Sequence, residues 1–410
     1  MRSAGRGGAS AAGPLLAVAL VLVAINLRPA AAGIGPLIGR IRHDTGLSGT
    51  GAGVLATLPV LCFGGLAPVV PALARRLGAH TAIAASLWLL LTGLLVRLVP
   101  GVGFLFLGTM LAGAAIAVGN VLMPVLVRRD FPSRTGLMTA LYTTSLIAFA
   151  ALAAGVSVPV GDALGGGWRP ALGIWAVPAA LALLVWLPHL WRAQPEPAGS
   201  EPSFAGARTL LGSRLAWQLT LFFGIQSASF YATLAWLPSV FQSHGASAAH
   251  AGLLLSLSMV VGLAGALTVP TLATRARDQR MLVVGCGSCT ALGWLGVLLA
   301  PNAAPYLWVA VLGLGQNASF PLAMTMVVLR GGTVASTTGL STLVQTVGYL
   351  LAAVGPLAIG ALHDLSGSWT PALVVLIAAL APQTVAGIAA GRNRSVAPPR
   401  AEPSPALDAG

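Results

Sequence analysis

Read from its first residue, the chain alternates between long apolar runs and short polar breaks. Twelve runs are long enough, or nearly so, to cross about 30 Å of hydrocarbon. They cover 14–36, 50–71, 81–99, 102–127, 136–159, 169–191, 215–241, 249–271, 280–300, 304–329, 337–361 and 370–391. Apolar residues fill these runs continuously rather than at every second position. Lipid leaves only helices or closed barrels to satisfy the backbone, and continuous runs select helices. The pattern predicts an all-α membrane protein with twelve transmembrane helices.

The breaks divide the runs into two sets of six. The segment 192–214 is the longest interior break and contains Gln194-Pro195-Glu196-Pro197 and Glu201-Pro202. Proline and charge make it a linker on the cytoplasmic side. The predicted organisation is a six-helix half over 1–191, the linker over 192–214, a second six-helix half over 215–391, and a proline-rich disordered tail over 392–410. The halves echo each other at an offset near 200 residues. Pro71 to Arg76 returns as Pro270 to Arg275, and Gly119-Asn120 to Pro124 as Gln316-Asn317 to Pro321. Gly136-Leu137 returns as Gly339-Leu340, and Trp168 to Leu172 as Trp369 to Leu373. Two parallel six-helix halves related by an axis along the membrane normal form the major-facilitator arrangement.

Composition narrows the function class. Hydrophobic residues make up 56% of the chain and charged residues 8%, against about 25% charged in a soluble domain. The net charge is +13, carried by arginine with no lysine. Those arginines do not form a nucleic-acid patch. They cluster in alternate breaks, at Arg2 and Arg6, Arg75 and Arg76, Arg128 to Arg134, Arg192 to Arg214, Arg275 to Arg280, Arg330, and Arg392 to Arg400. Only Arg40, Arg42 and Arg169 fall on the other side. The bias predicts an inner-membrane protein with both termini cytoplasmic. The N-terminus also has signal-peptide features, with Ala30-Ala31-Ala32 resembling a cleavage site. Arg28 and Pro29 argue against cleavage, and the first span is needed to complete the repeat. Cys286 and Cys289 form a C-x-x-C in an apolar run with no partner pair, which fits small packing residues better than a metal or redox site. No histidine has metal-ligand spacing, and no nucleophile–base pair, P-loop or dinucleotide fingerprint appears. Neither an enzyme nor a cofactor is expected.

Few residues remain to carry chemistry. Arg28 lies late in the first span, beside Asn26 and Pro29. A charge at membrane depth is costly and normally faces a cavity and a partner. No Asp or Glu lies mid-span; Asp162 and Asp364 sit at outer ends. A guanidinium facing water is a natural anion site, and the competing reading is snorkelling to the surface. Asn120 and Asn317 each precede a proline by four residues, so the proline frees the Asn carbonyl. They either satisfy a kink or aim amides at a ligand. Span 7 carries Gln226, Phe230, Tyr231 and Trp236, and span 11 carries Gln345 and Tyr349. Such polar and aromatic residues contact ligand or bond helix to helix. Tyr142, early in span 5, is a further candidate.

Several of these stretches resemble the cyanate permease and 2-nitroimidazole transporter group of the major facilitator superfamily. They are Asn26-Leu27-Arg28-Pro29, Leu58-Pro59-Val60 to Ala67, Met123-Pro124-Val125, Ala235-Trp236-Leu237-Pro238, and Gly313 to Leu322. The resemblance implies a monomeric secondary carrier that works by alternating access on a small anionic or small polar solute, with a coupling proton as a further partner. The superfamily's usual acidic residue after Leu73-Ala74 is replaced by Arg75 and Arg76. The alternative expectation is proton-coupled efflux of hydrophobic drugs, which usually needs a membrane-embedded carboxylate.

Overall fold

The computed structural model describes residues 12–165, 167–192 and 203–396. The first eleven residues with Arg2 and Arg6, the proline-rich centre of the linker, and the tail beyond 396 lie outside the described residues.

Among the described residues the chain is helical throughout, with twelve membrane-length stretches. The first half comprises span 1 (Ala12–Asn26, Pro29–Ala32 and Ile34–Thr45), span 2 (Gly49–Leu66, then Val70–Leu77), span 3 (Ala79–Val96), span 4 (Val102–Asp130), span 5 (Thr135–Ala163) and span 6 (Trp168–Gly173, then Ala176–Trp186). The second half comprises span 7 (Arg214–Ser243), span 8 (Ala248–Arg275), span 9 (Arg280–Leu299), span 10 (Pro305–Gly331), span 11 (Val334–Ala352, then Val354–Ser366) and span 12 (Thr370–Ala390). A short helix, Ser203–Thr209, precedes the second half. Eleven of these stretches are apolar enough to cross a membrane by composition. The exception is span 7, whose Gln226, Ser227, Ser229, Tyr231 and Trp236 dilute its hydropathy.

Three of the helix interruptions have one cause. Proline cannot donate to the carbonyl four residues before it. Pro29 deprives Ile25, Pro178 deprives Ile174, and Pro356 deprives Ala352, and the chain breaks at each of these places in spans 1, 6 and 11. Spans 4 and 10 run as unbroken helices through Pro124 and Pro321.

The repeat seen in the sequence is also a repeat in space. Ser48 and Ser247 cap spans 2 and 8 in the same way, accepting from Gly51 N at 3.0 Å and His250 N at 3.1 Å. Gly93 packs span 3 on Gly108 and Ala112 of span 4, and Gly293 packs span 9 on Leu312 of span 10. Neither glycine has room for a Cβ, so each lets two helices approach closely.

The halves meet closely at the face opposite the one where span 12 ends. There Gly35 lies against the Leu234 carbonyl, Gly53 against Pro356, and Gly252 against the Ala154 carbonyl. Asp364 of span 11 caps span 2 across the boundary, accepting from Gly49 N (2.8 Å), Thr50 N (2.6 Å) and Thr50 Oγ1 (2.8 Å). Thr57 Oγ1 donates to the Ala353 carbonyl at 3.1 Å. This face is closed.

Candidate functional site

Arg28 occupies the broken turn of span 1, between the helix ending at Asn26 and the one starting at Pro29. The break carries its guanidinium across the boundary between the halves. Nη1 donates to the Tyr231 hydroxyl at a long 3.4 Å. Its Cζ lies 5.9 Å from the Phe230 ring centroid, a cation–π distance. Tyr349 and Tyr142 lie within electrostatic reach of the same charge. Three of the four tyrosines in the chain thus gather around one arginine, from spans 5, 7 and 11.

Aromatic rings complete the enclosure. Phe63 of span 2 lies 6.3 Å from Tyr231 and 5.7 Å from Tyr349. Phe223 meets Tyr349 edge-on at 5.1 Å and Phe320 at 5.6 Å. Both halves therefore contribute to one cage. Next to it a narrow cavity of about 10 Å³ lies between spans 1, 2 and 7, bounded by Ala31, Pro59, Val60, Tyr231 and Leu234. Tyr231 is shared between cage and cavity.

The cage holds no carboxylate. The acidic residues among the described residues are Asp44, Asp130, Asp162, Asp278 and Asp364, all at helix ends or in a loop. Each pairs elsewhere, with Arg169, His80 and Arg129, Arg40, Arg280 and Arg42 respectively. Arg28 Nε is buried without a hydrogen-bond partner. A second arginine behaves alike. Arg97, 1% exposed, donates from Nη1 to the Ala30 carbonyl at 2.8 Å, while its Nε and Nη2 have no partner. It holds the turn that positions Arg28. A buried cation without a counter-ion is costly unless something compensates it.

The other candidates go elsewhere. Asn26 donates to the Leu22 (2.7 Å) and Pro178 (3.1 Å) carbonyls, tying span 1 to span 6 at its break. Asn317 bonds back to the Gly313 carbonyl at 3.0 Å and lies against Gly262 of span 8. Asn120 is half-buried in span 4. Gln345 donates to Ser341 Oγ at 2.8 Å on its own helix. Trp236 donates to the Pro356 carbonyl at 2.8 Å and packs on Trp369, tying span 7 to spans 11 and 12. Gln226 lines a separate polar cavity inside the second half. The structure thus brings Arg28, Tyr231, Tyr349 and Tyr142 together and leaves the rest outside the cage. Phe63, Phe223, Phe320 and Arg97 were not singled out from the sequence. Their only signal was rarity: aromatics make up 6% of the chain, and Arg97 is the second arginine in or beside a span.

Comparison with known proteins places these features. The family model described as Major Facilitator Superfamily matches residues 15–356. A Bacillus subtilis (strain 168) protein named uncharacterized transporter YycB is 40% identical over 93% of this chain and 94% of its own length. The 2-nitroimidazole transporter of Escherichia coli (strain K12) is 36% identical over 93% of this chain and 96% of its own. The cyanate transport protein CynX of the same strain is 31% identical over 85% and 90%. Among solved structures, the nucleoside transporter NupG superimposes with a TM-score of 0.72 at 13% identity, covering 92% of this chain and 98% of its own. The D-xylose-proton symporter gives 0.70 at 13% identity over 92% and 96%. At that identity these structures speak for the fold alone.

Proposed function

Since the chain belongs to the major facilitator superfamily and is a membrane transporter rather than an enzyme, we propose that it carries a small anionic or small polar solute by alternating access. Arg28 is the recognising charge. The observation that carries this reading is a guanidinium in an aromatic cage between the halves, with every acid among the described residues committed elsewhere. An anion would supply the missing counter-charge and accept from the unpaired Nε. Tyr231, Tyr349 and Tyr142 offer hydroxyls beside it, and the rings of Phe63 and Phe230 suit a flat, polarizable solute. The named functions of two relatives, transport of cyanate and of 2-nitroimidazole, support this class.

The arginine bias supports an inner-membrane protein with the face where span 12 ends on the cytoplasmic side. The sealed face carrying Asp364 is then the outer one, and the structure is closed to the outside. Opening it requires the Gly35, Gly53 and Asp364 contacts to separate.

Arg28→Ala tests the assignment. A charge-assisted hydrogen bond is worth about 1.5–3 kcal/mol, so binding of a cyanate-like anion to purified protein should weaken roughly 10- to 150-fold. Arg28→Lys should recover only part, because an ammonium lacks the planar fork. Native affinity in a well-folded Arg28→Ala protein would remove Arg28 from the site, and the anionic reading with it.

A further inference from the structure

Inside the second half, away from the boundary between halves, spans 7, 9, 10 and 12 meet around a tight polar pocket with no room for a water molecule. Its lining is Gln226, Ser229, Thr290, Gln316, Ser319 and Gln383. All six are buried, none more than 4% exposed, and all are polar and uncharged. Hydrocarbon surrounds this bundle, so unmet polar groups there are expensive.

The hydrogens of the lining are largely committed elsewhere. Gln316 Nε2 donates to Ser229 Oγ at 2.8 Å and to Thr233 Oγ1 at 3.0 Å. Thr290 gives its hydroxyl hydrogen to the Cys286 carbonyl at 2.9 Å, and Ser319 gives its own to the Gly315 carbonyl at 2.8 Å. Gln226 Nε2 donates to Ser227 Oγ at 3.0 Å. The side-chain oxygens of Gln226 and Gln383 are buried and accept nothing. What faces the cavity is an excess of oxygen lone pairs.

Packing does not require this polarity, as the first half demonstrates. Gly93 and Gly293 make matching helix contacts, which sets Leu90 at the place of Thr290. The Asn120 and Asn317 match sets Leu122 at the place of Ser319, and the Trp168 and Trp369 match sets Ala182 at that of Gln383. Leu90, Leu122 and Ala182 are all buried apolar core residues. At three of the six lining positions the first half thus has hydrocarbon where the second has a polar side chain.

We propose that this cavity is a binding site for a small desolvated monovalent cation of sodium's size. Neutral amide and hydroxyl oxygens are the ligands that hard cations take, and the Gln226 and Gln383 oxygens are buried without a hydrogen-bond partner. Gln226 lies one helical turn from Phe230, whose ring faces Arg28 at 5.9 Å. Span 7 thus links a cation in the second half to an anion at the cage, each offsetting the other's charge. This makes the cation a coupling ion in a chain whose described carboxylates are all at helix ends or in loops. The coupling rests on the anion reading above; the cation site does not.

The test uses purified full-length protein without substrate. Thermal unfolding is followed in sodium, potassium and choline chloride at equal ionic strength. Sodium should raise the melting temperature over choline in a saturable way. Thr290→Val and Gln383→Leu, both in keeping with the apolar packing of the first half, should fold and lose that sodium increment. Equal melting in sodium and choline overturns the proposal and leaves a closely packed polar cluster. So does a sodium increment that survives in both variants. Anion affinity measured with and without sodium then tests the coupling, with an increase of about 5-fold or more expected. Should the anion not bind in either salt, the cage reading falls while the cation result stands.

Discussion

The two halves share one fold and join their helices with different chemistry. At the end of span 4, Arg129 Nη2 meets His80 Nδ1 at 2.7 Å, and His80 Nε2 lies 3.2 Å from Asp130. At the same end of the second half, Arg330 closes span 10 and Gln279 precedes span 9. Arg330 donates from Nε to the Ala390 carbonyl at 3.1 Å and from Nη2 to the Gly391 carbonyl at 3.0 Å and to Gln279 Oε1. The first joint rests on ionisable partners, with Arg129 one-third exposed at 34%. The second is 3% exposed and rests on neutral carbonyls. The opposite face repeats the contrast. Trp168 donates to Asp44 at 2.9 Å beneath Arg169, whereas its counterpart Trp369 stacks on His363 at 3.9 Å. A repeated fold therefore dictates where helices are tied, not with what.

The largest effect expected from breaking this contrast is at Arg330. Arg330→Ala strips three buried acceptors of a charged donor and should cost at least about 3 kcal/mol. Arg129→Ala should cost about 1 kcal/mol or less, because its pairs are solvent-screened. Chemical denaturation of both variants in detergent compares them, and equal costs would erase the distinction between the halves.

Swapping chemistry between the joints comes next. His80→Leu should cost about 1–3 kcal/mol by leaving Arg129 and Asp130 without their shared partner. His80→Gln keeps an acceptor for Arg129, as Gln279 does for Arg330, and should cost under about 1 kcal/mol. If both substitutions destabilise alike, the ring's packing on Trp186 matters more than its nitrogens.

Arg97→Met should change stability by less than about 1 kcal/mol, or raise it, because it removes a buried cation with two unpaired nitrogens. Anion binding should nonetheless weaken as the Ala30 turn relaxes around Arg28. Binding and unfolding measured on the same preparation separate the two effects.

The smallest effect is at Asp44. The Trp168 indole and the Arg169 guanidinium hold its carboxyl below the ordinary aspartate range. Its folded-state value is depressed, so the contribution is present above the unfolded value near 4 and is lost as pH falls through the lower folded one. Tryptophan fluorescence should report a local change in acid that Asp44→Asn abolishes. The Trp369 side has no such carboxylate and should not respond there.

The span count, the division into halves and the repeat were legible because lipid leaves the backbone one solution and makes apolar length readable. Arg28 was legible for the same reason, as a charge where charge is costly. Its neighbours were only partly so. Tyr231, Tyr349 and Tyr142 sit 203, 321 and 114 residues or more from Arg28 along the chain by their numbering, and only packing decides which mid-span aromatics converge. Asn26, Gln345 and Trp236 carry the same polar signal and spend it on helix joints. A polar residue in a span announces a hydrogen bond; its address depends on rotation of the helix about its axis, which an apolar run on all sides leaves open.

The sequence by itself determined twelve helices in two related halves, the arginine bias between faces, and a lone guanidinium at depth. Those follow from composition and period, which act residue by residue. Only the tertiary structure decided that this guanidinium meets four aromatic rings and no acid. It also decided that the halves seal at the Asp364 face, and that the second half gathers buried polar side chains at places where the first packs Leu90, Leu122 and Ala182. Each of these depends on which faces of separate helices touch, as in the close contacts at Gly35 and Gly53 between segments far apart in the chain.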